Sequence, residues 1–471
     1  MRAHGRTAGS TVTGDGTARG RHSRHLLIAP AAAALAAAFI AGCAAAHTTT
    51  GPPPPTASGQ PALAGIVQVS HDQFGAHAEP AVAVNPRNPR NLLAASMVFQ
   101  GRARGLATYA SFDGGLTWQS SGVLPGAAPD NDADVTVTFD QAGHGYVSGL
   151  VASRAQSQLN TAYVWRTDDG GRHFKPAVAA IRGSVDHPEF VDHSGLAADP
   201  TAGSADLYLA GIVFQGSTSE LRFTRSTDSG RTFEPARSID PSNSSYDRDT
   251  VVAAGPDGLV AVMYYTWPSN GRPPVTVTVA TSTDHGASFA TPVRPGTVRW
   301  PAPVPGVNAR SGPAIAIDPR TGDIYASVAT YAPATRASEV EVFTSRDRGR
   351  SWSVPTVVAS TVGVTYFQPQ LAAGDGGPVG LSVLELVNGH VHVVMFTSTS
   401  AGASFGRPRT VTGSSFDPNL GLTNGSGSTA HWIGDYQGLA ATRGAFHPLW
   451  NDTRTGHLEL FTATVPVAPQ Q

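Results

Sequence analysis

Cysteine is nearly absent: Cys43 is the single one in 471 residues, so no internal disulfide holds this chain together. Charge is scarce as well. Asp, Glu, Lys and Arg make up 14% of the sequence, and 32 basic residues against 34 acidic ones give a formal net charge of -2. That balance excludes a global field drawing the protein to nucleic acid or to an anionic bilayer, so any binding must come from a local site. Also missing are a His-Glu-x-x-His or comparable metal spacing, a phosphate loop, a Gly-x-Ser-x-Gly elbow and a basic patch. No catalytic metal, cofactor or nucleic-acid partner is therefore expected.

Long hydrophobic runs are lacking too. The apolar run from Leu26 to Ile40 is about 15 residues, short of the roughly 20 that a spanning helix needs. It follows Arg19, Arg21 and Arg24, which makes it the core of an export signal. The run ends in Ile40-Ala41-Gly42-Cys43, which resembles the lipobox of bacterial lipoproteins. That resemblance implies cleavage before Cys43, acylation of its thiol, and an exported protein anchored to the extracytoplasmic face of the membrane by lipid alone. Residues 43–62 contain Pro52-Pro53-Pro54-Pro55 among Thr, Ser and Gly, an extended and solvated composition that suits a tether.

Glycine and proline are abundant, at 52 and 36 residues, and predict many turns between short strands. One turn recurs. Its cleanest copy is Ser111-Phe112-Asp113-Gly114-Gly115-Leu116-Thr117-Trp118, and further copies run Thr167 to Phe174, Ser226 to Phe233, Ser282 to Phe289 and Ser345 to Trp352. A decayed sixth, Ser398 to Phe405, has Ser400 in the Asp place, and successive copies lie 53 to 63 residues apart. The Asp can accept hydrogen bonds from backbone N–H groups two or three residues on, the Gly supplies φ > 0, and the aromatic anchors the next strand inward. This sequence resembles the Asp box of sialidases and other propellers, where it joins the third and fourth strands of a blade away from the ligand-binding end. The resemblance speaks to fold rather than to activity.

Two strand signals precede each turn, for example Glu79 to Asn85 with Leu92 to Phe99, Asp134 to Asp140 with Gly145 to Ala152, and Ser311 to Asp318 with Asp323 to Thr330. A seventh pair, Trp432 to Ala441 and Ala445 to Trp450, is followed by a strand from His457 to Val465 and no turn motif. The vacancy in that last blade suits Gly65 to Ser70, since closing the ring with the N-terminal strand protects otherwise open edges. The expectation is an all-β, seven-bladed β-propeller of four-stranded antiparallel blades over residues 63–468. Six blades, the number in true sialidases, is the alternative, with the Trp432 segment closing the first blade.

In such a ring the innermost strands deliver their first residues to one axis. The candidates there are His77 and Glu79, Asp130 to Asp134, Asp186, His187 and Glu189, Tyr246 to Asp249, Asn308 and Arg310, Tyr366 and Gln368, and His431, Trp432, Asp435 and Tyr436. Carboxylates for hydroxyls and aromatic faces for rings suit a saccharide, with turn and strand capping as the competing role of each acid. The sialidase resemblance implies three arginines for a substrate carboxylate, a Tyr–Glu nucleophile and an Asp acid. Its first-blade Arg-Ile-Pro is absent, since this chain reads His77-Ala78-Glu79-Pro80. Arg248, Arg310 and Tyr366 follow the family's order, Glu189 is the candidate partner of Tyr366, and Asp132 the candidate acid. The ligand-binding set expected is Glu79, Asp186, Asp247, Arg248, Arg310, Asp435 and Tyr436. Three functions stand open: a surface propeller that binds a glycan or other polar ligand, a glycoside hydrolase, and a protein-binding scaffold. The protein is expected to be a monomer.

Overall fold

The computed structural model describes residue 63 and residues 65–467, apart from 102, 127–131, 153–159, 185–188, 217, 241–245, 269–270, 300–306, 309–310 and 424–430, and the side chains at 160, 246 and 308. Cys43, the export signal and the tether lie outside the described residues, as do Asp186 and Arg310.

Seven antiparallel sheets follow one another along the chain, and they are the blades of a propeller. Blade 1 runs Ala76–Val84, Leu92–Gln100, Ala103–Ser111 and Gln119–Val123, and blades 2 to 6 repeat this order. Blade 7 has Gly438–Ala441, Ala445–Asp452 and Glu459–Thr462, and its fourth strand is Val67–Gln68, with Val67 opposite Thr462 and Gln68 opposite Phe461. The N-terminal strand therefore closes the ring, and the six-bladed alternative is excluded. Closure pairs the N-terminal strand with the third strand of blade 7, so that strand is not left as an open edge.

The recurrent turn does its work through the Asp. Leu116 N and Thr117 N donate to Asp113 Oδ1 at 3.0 and 2.9 Å, and Thr117 Oγ1 donates to Oδ2 at 2.6 Å. These donors lie three and four residues on, one further than expected from the sequence. The same four-residue bond recurs at Asp169, Asp228, Asp284 and Asp347, and Ser400 accepts it through its hydroxyl in the decayed copy. Gly115 has φ 89° and the residue before it φ 83°, so two successive left-handed residues make the hairpin, which is why a Gly stands second. Trp118 is buried beyond it and donates to Gly115 O at 3.2 Å.

The core lies between blades. Leu93, Ala95, Leu106, Val137, Val147 and Trp165 pack blade 1 on blade 2, and Trp165, with no exposure, donates its N–H to Pro125 O at 2.8 Å. Each fully buried aliphatic side chain of this kind contributes roughly 1.5–3 kcal/mol. Because every interface is built this way, the ring holds its inner strands at fixed distances from the axis.

One predicted strand divides. Trp432 to Ala441 was expected to be continuous, but only Gly438–Ala441 is the inner strand of blade 7. His431–Trp432 instead joins a small sheet, parallel to Val307–Asn308 and antiparallel to Leu422–Thr423. The break falls at Gly434, whose φ is 92° and where a Cβ would come within 3.0 Å of Glu79 N. Likewise Val465–Pro466 leaves the third strand of blade 7 and pairs back on Ala445–Phe446.

Candidate functional site

When the seven inner strands are aligned on the turn residues that end them, Asn85, Asp140, Asp199, Gly255, Asp318, Gly374 and Thr442, one position stands out. Six residues earlier come Glu79, Asp134, His193, Asp249, Gly312, Gln368 and Tyr436. Five of these, Glu79, Asp134, His193, Asp249 and Gln368, have φ between 49° and 57°, and each sits in a break of register with the second strand. A left-handed non-glycine residue costs on the order of 1–3 kcal/mol, and bulges of this kind re-aim a side chain. Repeated in five blades, the device is part of the site's construction.

Neighbouring blades hold the bulges in place. Asn451 of blade 7 accepts from Glu79 N at 3.2 Å and donates to His77 O at 2.9 Å. Asp134 Oδ2 accepts from His193 N at 3.2 Å, and Ser311 Oγ accepts from Gln368 N at 2.8 Å. Gln368 donates to Gly434 O at 2.6 Å, and Gln437 donates to Gln368 O at 2.8 Å. Tyr436 reaches from blade 7 to blade 2, where its hydroxyl accepts from Val135 N at 2.9 Å, and its ring lies 5.6 Å from that of His193 in an edge-on contact. Along the axis is a cavity of about 220 Å³ lined by all seven inner strands, with Asp134, His193 and Tyr436 on its wall.

Electrostatics set this mouth apart. Glu79 is 4% exposed, and burial first, then Asp134 and Asp435, push its carboxyl well above the usual range. A hydrogen bond with Asp134 and the charge of Asp192 add to the rise, so Glu79 favours its protonated form. Burial and Asp134 raise Asp192 to about 7, with Asp249 adding to the rise and His193 and Arg248 opposing it. Burial disfavours the His193 imidazolium, but Asp134, Asp249, Asp192 and Asp435 outweigh it and raise the pKa. Burial and the nearby acids also push the Tyr436 phenol well up.

The expected residues fall into three groups. Glu79, Asp435 and Tyr436 converge on the mouth, with Trp432 Nε1 donating to Asp435 at 2.7 Å. Arg248 stands beside Asp192 with its guanidinium 5.2 Å from the Phe214 ring. Asp247, Glu189 and Tyr366 are held elsewhere, and Asp132 is fully buried two residues before the bulge. Asp247 accepts from Thr266 Oγ1 at 2.9 Å. Glu189 is bound by both Arg222 guanidinium nitrogens, at 2.7 and 2.9 Å, and by Gln215. Tyr366 is 3% exposed in the core between blades 5 and 6, with its hydroxyl on Thr361 Oγ1 at 3.1 Å. Glu189 and Tyr366 thus take separate partners rather than each other. Asp192 and His193 were missed, although counting back six residues from Asp199 would have found His193.

No family model matches this chain, and no curated protein matches it. Among solved structures it is similar to an ulvan lyase from a new family of polysaccharide lyases, at 12% identity and a TM-score of 0.50 over 83% of this chain and 95% of that one. A Penicillium chrysogenum α-L-arabinanase complexed with arabinobiose gives 14% identity and 0.47, over 68% and 93%. A Hadza microbial sialidase gives 13% and 0.48, over 77% and 73%. Likeness at such identities establishes the propeller fold and leaves the activity to the site itself.

Proposed function

We propose that this chain is an exported, lipid-anchored propeller that binds a glycan at the mouth of its central channel. The observation that carries the reading is the ring of bulged inner-strand residues, which spends backbone strain in five blades to aim polar groups at one axis. The recurrent turns, read as Asp boxes of the sialidase type, support it. So does the likeness to an ulvan lyase, a polysaccharide lyase.

A second reading, cleavage of the bound glycan, is favoured by the raised pKa of Glu79, because a carboxyl whose proton is held by burial and neighbouring acids suits a general acid. Glycosidases pair such an acid with a second carboxyl about 5–10 Å away, and Asp192, raised to about 7, is the candidate base. The Tyr366, Glu189 and Asp132 mechanism has no comparable support, since Glu189 is held by Arg222 and Tyr366 by Thr361 rather than by each other.

The test is a glycan array and a fluorogenic glycoside panel on the purified full chain. Glu79→Gln is expected to keep binding and to lower turnover by about 100-fold, while Tyr366→Phe leaves both unchanged. Failure of every glycan to bind rejects the reading, and Cys43→Ser is expected to release the protein from the membrane.

A further inference from the structure

The mouth is unbalanced in both charge and hydrogen-bonding capacity. Glu79, Asp134, Asp192, Asp249 and Asp435 act on one another there, and among the described residues the cations facing them are His193 and Arg248. His193 Nδ1 lies 4.0 Å from Asp249 Oδ1, and Arg248 is drawn over the Phe214 ring. The cavity wall adds polar groups without partners. Ser194 Oγ, Thr250 Oγ1 and Gln437 Oε1 belong to residues 4%, 1% and 3% exposed, line the cavity, and have no hydrogen-bond partner among the described residues. The two hydroxyls can donate or accept, the Gln437 oxygen can only accept, and a buried polar group left unmatched costs about 1–3 kcal/mol, so the wall suits a polar ligand that brings at least one donor.

Resting on the channel-mouth reading above, we infer that the glycan recognised is cationic: a saccharide carrying a free, protonated amine, such as an amino sugar without its acetyl group. The ammonium supplies three donors and one positive charge to a site with an unmatched acceptor and an excess of acidic groups. An anionic sugar would instead meet that cluster of acids and would need cations that the mouth already has engaged. A compact divalent metal ion is a poorer match. Asp435 is committed to Trp432, Asp134 to His193 N, and Glu79 to Asp134. The trio of described residues whose ligand atoms converge within 4.8 Å is Asp199, Asp206 and His285, on the opposite face.

The experiment is calorimetric titration of the full chain at about pH 6, where an amino sugar is protonated, with a β-1,4-linked glucosamine tetramer, its fully N-acetylated counterpart and sialyllactose. The expected result is at least about tenfold tighter binding of the free amine than of either other ligand. Protons are expected to be released into the buffer as the bound cation lowers the carboxyl pKa values. Asp192→Asn should reduce both the preference and the proton release, because Asp192 faces Asp134, His193, Asp249 and Arg248 across the mouth. Equal or tighter binding of the acetylated or sialylated ligand overturns the cationic class while leaving a glycan site standing. Binding of none of the three overturns both.

Discussion

The two faces of this propeller use the same side chain in opposite ways. On the turn face, Asp113, Asp169 and Asp284 are ringed by N–H and O–H donors, and despite slight opposing burial their carboxyls are held at about 2. At the channel mouth, Glu79 and Asp192 face other acids in a buried setting, and their carboxyls rise. Donors around a carboxylate stabilise the folded chain, whereas crowding carboxylates together destabilises it. The repeated turns thus supply stability, and the mouth draws on it to keep protons available near neutral pH. A third setting, at the seam of blades 7 and 1, has a cation between acids. His77, 1% exposed, bonds Asp72 through Nε2 at 3.1 Å, and its Nδ1 lies 3.0 Å from Glu459 in a contact of poor hydrogen-bond alignment. Tyr109 donates to the outer oxygen of Asp72 at 2.7 Å, and Ser70 donates at 2.5 Å to the same Glu459 Oε2 that faces His77.

The seam yields the largest effect. His77→Ala leaves Asp72 and Glu459 facing each other and is expected to cost about 3–5 kcal/mol in urea unfolding. In the native chain, burial opposes the imidazolium but the two acids raise its pKa to about 9. A raised folded-state pKa gives stability that is complete below about pH 6.5 and is lost as pH climbs toward 9, which a melting series across that window will show.

At the mouth the sign reverses. Asp192→Asn is expected to stabilise by on the order of 1–3 kcal/mol at pH 8, because the folded-state pKa of about 7 makes the ionised group unfavourable there. The gain should shrink through pH 7 and vanish near pH 4, where the native carboxyl is protonated. A destabilised Asp192→Asn at pH 8 would erase the contrast between the faces.

On the turn face, Asp113→Ala should cost about 1–2 kcal/mol at pH 7, since four donors lose a partner that lies near water. That contribution is present above pH 4 and fades toward pH 2. Smallest is Ser400→Asp, which restores the motif in blade 6 and should raise stability by about 0.5 kcal/mol, seen as a small rise in Tm.

Local chemistry made the fold legible. The turn needs Asp, Gly and an aromatic at fixed offsets, so six copies announced the blades, and the strand missing from blade 7 pointed to Val67–Gln68. The mouth was legible only in part. Glu79, Asp435 and Tyr436 lie where inner strands begin, but the left-handed residue depends on a break in pairing with the second strand, and such a break has no residue-type signature: Glu, Asp, His and Gln all occupy it. Tyr366 matched by order along the chain, and order does not reveal that Thr361 claims it or that Arg222 claims its candidate partner Glu189.

Asn451 joins the first and last blades at the mouth, since it grips Glu79 and His77 of the first blade from the second strand of the last. Tyr436 and Asp435 also arrive only with that last blade. A ribosome must therefore finish the seventh blade before these groups can assemble, and a product that stops short of it has the early blades but not the mouth.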